Sequence, residues 1–109
     1  RKPNPLVAYE LADIKIQLDD LMGATKNITF GIANSNNDVM RTYYETQGQY
    51  QVPMKAAFLY LKGLVKFKEN KEENIDAAIA IMDQALEIAP NFNLAILSKD
   101  ALNAQKKKD

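Results

Sequence analysis

The 109-residue chain contains no cysteine and no histidine. Without cysteine there is no disulfide, no thiolate nucleophile and no sulfur ligand for a metal. Without histidine the usual general base and the commonest transition-metal ligand are gone as well. No apolar run reaches the length needed to cross a bilayer, so membrane insertion is not expected, and no signal-peptide pattern is present. Neither sign of charge is in excess: 14 basic and 14 acidic residues give a net charge of zero. A nucleic-acid binder shows a clustered basic surplus, so nucleic acid is not expected as a partner. There is also no phosphate-cradling glycine loop, no serine–base pair and no metal-ligand spacing. The expectation is a protein that is not an enzyme and that carries no cofactor and no metal. The chain opens on Arg1 rather than methionine. A processed start is therefore expected, and the compartment stays open: cytoplasmic, or periplasmic or secreted if a targeting segment was removed.

What is present is enough for one domain. Hydrophobic residues make up 47% and charged residues 26% of the chain, which excludes general disorder and suits a modest core. Asn4-Pro5 combines a capping residue with proline at the first helical position. Val7, Leu11, Ile14, Leu18 and Leu21 follow at near-heptad spacing, and Gly23 suits a helix end. The pattern predicts a helix over 5–22, one wall of the core. The segment 24–38 is weaker, since Ile28, Phe30 and Ile32 alternate with Thr29 and Gly31 over only a few residues. Asn27-Ile28-Thr29 fits the glycosylation sequon, a short pattern common by chance. The run 34–38 is a polar break. Spaced Asn34, Asn36, Asp38 and Glu45 imitate a calcium loop, but Val39 stands where that loop needs glycine. A helix capped by Asn37 or Asp38 is predicted up to Gly48, with Val39, Met40, Tyr43 and Tyr44 as its apolar edge. A connector over 48–52 follows.

The strongest periodicity lies in 54–91. Met54, Ala57, Phe58, Leu61, Leu64 and Val65 form one apolar face of a helix, and Ala56, Tyr60, Gly63 and Phe67 a second stripe beside it. Ile75, Ala78, Ile79, Met82, Ala85, Leu86 and Ala89 repeat the pattern. Asn74 marks the start of this second helix, and Pro90 stops it. Acidic Glu69, Glu72, Glu73 and Asp76 gather at the turn between them. They are interleaved with Lys66, Lys68 and Lys71, which makes an exposed, charge-balanced turn rather than a cation site. After the capping cluster Asn91-Phe92-Asn93 a last helix is predicted to about residue 105, with Leu94, Leu97, Ala101 and Ala104 inward. Its lysine end, Lys106 to Lys108, complements the helix dipole.

Gly63, Ala78, Met82, Ala85 and Pro90, at their spacing over two helices, resemble one tetratricopeptide repeat, a helix pair of about 34 residues. Lys62, Leu59 and Lys66 stand where that family carries leucine, tryptophan and tyrosine. The resemblance implies an all-α fold of antiparallel helical hairpins, a superhelix whose N-terminal half is divergent. The single domain would divide into divergent helices over 1–52, the repeat-like pair over 53–91 and a trailing helix over 92–109. The resemblance also implies a groove for a protein or peptide partner, lined by Ala57, Tyr60, Leu64, Phe67 and Lys68 with Leu94, Leu97 and Ala101. Tyr60, Leu64, Phe67, Lys68 and Leu97 are the candidate partner-binding residues. The carboxylate clamp of some family members is not expected, because Ala57, Leu61, Leu94 and Ser98 occupy its positions. Two readings of the groove stand side by side: the first helix fills it as core, or Tyr60 and Phe67 anchor an apolar partner. An exposed groove implies a partner or self-association. The function expected is an interaction or assembly module. The alternative is a small-ligand carrier with a pocket between the first helix and the central pair.

Overall fold

A computed structural model describes residues 4–36 and 38–107. Expectations placed on residues 1–3, on Asn37 as a cap and on Lys108 lie outside those residues. The described chain runs α1 (Pro5–Gln17), α2 (Leu21–Asn34), β1 (Met40–Glu45), β2 (Gly48–Pro53), α3 (Met54–Glu69), α4 (Ile75–Ile88) and α5 (Asn93–Lys107). It is mostly helical, but the two strands correct the all-α expectation. Among the described residues no helix is long and apolar enough to cross a membrane.

The predicted first helix is cut short. Asn4 does cap it, its side chain accepting from the Leu6 amide at 2.8 Å. The helix ends at Gln17 in a Schellman turn: the Asp19 amide donates to Ile16 and the Asp20 amide to Lys15. Asp19 takes the left-handed conformation that glycine usually supplies, with φ 61°. Asp20 then caps α2 by accepting from the Gly23 amide at 3.0 Å. Gly23 therefore opens a helix rather than closing one, and a Cβ there would fall 2.8 Å from Asp20 Cγ.

The weakly patterned segment 24–38 is largely helix. α2 turns Ala24, Ile28 and Gly31 inward, a face of small residues that carries little hydrophobic signal and lets α3 approach closely. The sequon asparagine lies inside this helix, where its Oδ1 accepts from Lys15 Nζ at 2.8 Å. Asn36 lies at the polar break between α2 and β1. Its Oδ1 takes the amides of Asp38 and Val39 in a turn leading into β1.

The helix predicted over 38–48 and the connector over 48–52 are a β-hairpin. β1 pairs antiparallel with β2, Tyr43 opposite Tyr50 and Arg41 opposite Val52. Thr42, Tyr43, Tyr44, Tyr50 and Val52 are strand-favouring residues. Alternation puts Tyr43 inward and leaves Tyr44 79% exposed. Gly48, at φ 140°, makes the turn back.

α3 is the central helix. Met54, Ala56, Ala57 and Phe58 are wholly buried, and Leu59, Leu61, Gly63 and Val65 nearly so. It packs on α1, α2, α4 and both strands, as two apolar stripes require. Asn74 sits at the start of α4 without capping it, and its Nδ2 donates instead to Lys66 O at 3.0 Å. Pro90 follows the end of α4. Phe92, expected in a capping cluster, is fully buried. The inward face of α5 is Ala95 and Leu102. Of the predicted stripe only Leu94 is half-buried, while Leu97, Ala101 and Ala104 are exposed. Lys99–Asp83 and Lys106–Asp76 ion pairs, both 2.6 Å, hold α5 to α4.

Candidate functional site

The hairpin packs against α3 and reaches α1 on one side and the start of α5 on the other. At its β1 side the Arg41 guanidinium covers the Tyr9 ring of α1 at 3.8 Å. It also donates to Glu10 Oε1 at 2.7 Å. The hydroxyls of Tyr9 and Tyr43 share a buried hydrogen bond of 2.8 Å. At the other side the Leu94 amide, in the first turn of α5, donates to the Tyr50 hydroxyl at 3.2 Å. Asn93 Nδ2 donates to Glu45 at 3.1 Å and Asn91 Nδ2 to Gln51 O at 3.0 Å. The hairpin is thus tied to α1 and to the start of α5, with α3 beneath it.

Aromatic rings fill the space below. Tyr43 stacks on Tyr50 with centroids 5.5 Å apart and meets Phe92 at 5.2 Å. Phe92 meets Tyr60 of α3 at 5.3 Å, and Tyr9 stands edge-on to Phe58 at 5.8 Å. Both the hairpin and the buried face of α1 pack against α3.

This environment keeps hydroxyls neutral. Burial pushes the Tyr9 hydroxyl up to about 12, although Tyr43 and Arg41 pull the other way. Tyr43 is raised further, by burial first and then by Tyr9. Tyr60 is raised by burial, with Ser98 opposing and Asp13 adding. Tyrosines displaced in this direction are poorer, not better, sources of a phenolate. Among the described residues no group of three carboxylates gathers closely enough to hold a metal ion.

The five candidate partner-binding residues fall in four places. Tyr60 is half-buried in the aromatic cluster. Leu64 and Phe67 line an apolar cleft of about 190 Å³, closed by Met82 of α4 and by Ser98, Ala101 and Leu102 of α5. Gly63 opens this cleft, because a Cβ there would stand 2.8 Å from Met82 Cε. Lys68 is exposed and pairs with Asp19 at 3.7 Å. Leu97, 55% exposed, sits beside Glu45, Thr46, Gln47 and Asn93 at the hairpin turn. The structure thus brings Leu64 and Phe67 together and separates the other three from them. Sequence reasoning missed Tyr9, Arg41, Tyr43, Tyr50 and Phe92. The signal for the hairpin members was the alternation of Arg41, Tyr43 and Glu45, answered by Tyr50 and Val52 across Gly48.

Comparison with protein-family models, with curated proteins and with solved structures returns no match.

Proposed function

We propose that this chain is a non-enzymatic interaction or assembly module that seats an apolar side chain of a partner protein in the cleft between α3 and α5. The cleft itself carries the reading. It is apolar and open at the surface, between α3, α4 and α5. The tetratricopeptide-like pairing of α3 with α4 supports the same use, since that resemblance implies a partner segment along the inner helices. The lack of histidine and cysteine, and hydroxyls held away from ionisation, favour binding over catalysis. Tyr60, buried against Phe92, acts in this reading as a wall of the cluster rather than as an anchor.

Ala101 is exposed and lines the cleft, so Ala101→Trp plugs it from the surface side. A photo-crosslinking residue at exposed Gln105 is expected to capture a discrete partner in native extract. The same label at exposed Lys55 serves as the control, and Ala101→Trp should abolish the Gln105 adduct. Identical adducts at Gln105 and Lys55, or capture that persists with the plug, would refute the reading.

The cleft volume favours one second reading, a small apolar ligand. About 190 Å³ is comparable with the ~150 Å³ of an engineered apolar cavity that takes up benzene. The pocket lies between α3, α4 and α5, not between α1 and the central pair. Chemical-shift changes confined to Leu64, Phe67 and Leu102 on titration with benzene, lost in Ala101→Trp, would mark that version.

A further inference from the structure

α1 has two apolar faces. Ala8, Tyr9, Ala12 and Ile16 are buried in the core. Roughly opposite stand Val7, Leu11, Ile14 and Leu18, which are 54%, 43%, 52% and 74% exposed. These are the residues whose spacing reads as a core wall, and the fold leaves them in water. Met22, 80% exposed, follows just after this stripe at the start of α2.

We propose that a second copy of this chain covers this face, α1 against α1 about a two-fold axis. The area fits. The five side chains expose roughly 500 Å² per copy, in the upper part of the range a typical monomer leaves bare and short of the ~800 Å² each partner gives to a standard interface, which suits a weak dimer. The spacing fits, since intervals of four, three and four are those of a two-helix seam. The charge fits its own copy. Glu10 and Gln17 flank the stripe on one side and Lys15 on the other. Antiparallel pairing sets Glu10 beside Gln17, and parallel pairing sets it beside Lys15, so neither opposes like charges. A net charge of zero adds no repulsion between copies. The shape fits as well: a recess of about 190 Å³ beside Val7 and Leu11, bounded by Asn27 and Phe30 of α2, can receive an inserted side chain. An isologous contact of this kind closes on itself and stops at two copies.

Sedimentation equilibrium of the 109-residue chain tests the pairing. The mass is expected to rise from 12.3 kDa toward twice that value as concentration increases into the range of about 0.1 mM. Leu11→Lys with Ile14→Glu, both at exposed positions, should weaken the dimer at least ~100-fold. At concentrations low enough to leave the parent monomeric, their circular dichroism and thermal melt should match the parent. Leu97→Lys and Ala101→Trp, on α5 and outside the α1 stripe, should leave the dimer intact, which separates this face from the α3–α5 cleft. A parent chain that stays monomeric overturns the proposal and gives the face to a different occupant. A dimer that survives the α1 variant, or is lost in Leu97→Lys or Ala101→Trp instead, overturns it too.

Discussion

Gly31→Ala is the perturbation that most directly probes how α2 meets α3. In a helix interior this exchange ordinarily stabilises by about 1 kcal/mol, because alanine loses less backbone freedom. Here the added Cβ would come closer than 3.0 Å to three atoms of the Phe58 ring, Cζ, Cε1 and Cε2. Phe58 is fully buried, and its ring is held edge-on by Tyr9, which is itself bonded to Tyr43. The ring cannot swing away without disturbing that chain of contacts. Overpacking against a rigid group costs up to about 3 kcal/mol, leaving a net destabilisation of about 2 kcal/mol after the helix gain. In a chain of this size the melting temperature should fall by roughly 8 °C. Urea titration should show a lower midpoint with an unchanged slope. Ala33→Gly, at an exposed position of the same helix, measures the propensity contribution by itself. Phe58→Leu should recover part of the loss in the Gly31→Ala background, a favourable coupling between neighbours. If Gly31→Ala unfolds at or above the midpoint of the parent chain, α2 and α3 do not approach as described and the packing argument fails.

The buried hydroxyl pair offers a second test. Tyr43→Phe leaves the Tyr9 hydroxyl buried without its 2.8 Å partner, at a cost of about 1–3 kcal/mol. Removing both hydroxyls should cost less than the two single changes together, and additive losses by urea titration would count against the bond. Alkaline pH gives a third. The neutral forms of Tyr9 and Tyr43 are favoured in the fold, so the unfolded chain releases its protons first, near pH 10. Stability from this source is present in full below about pH 10. It then falls by up to ~1.4 kcal/mol per pH unit for each tyrosine, with Tyr9's share running out near pH 12. Tyr9→Phe with Tyr43→Phe should flatten that decline, and an unchanged slope would assign it to other groups.

Sequence alone settled the parts of the fold that rest on local chemistry. Asn4-Pro5 starts a helix wherever the chain goes afterwards, and Pro90 stops one. The two-stripe pattern of 54–69 is legible because a central helix must be apolar on more than one side. Where a signal had two physical meanings, only the tertiary structure decided. Val39, Met40, Tyr43 and Tyr44 suit a helix edge or a strand. The strand wins because Tyr43 finds Tyr9 and Phe92, residues 34 positions before it and 49 after. The heptad of Val7 to Leu18 suits a core wall or an outer face. It faces water because the small side chains of Ala8 and Ala12, with Tyr9, fit against α2 and α3 more closely. Leu97 carries more hydrophobic signal than Ala95, yet Ala95 is the buried one, because close approach of two helices selects the smaller residue. Tyr60, Leu64 and Phe67 share one helix face in the sequence. The aromatic cluster around Phe92 half-buries Tyr60 and leaves Leu64 and Phe67 beside an open cleft. Hydrophobic spacing gives a helix its stripes, and only the neighbours it meets in three dimensions decide which stripe is covered.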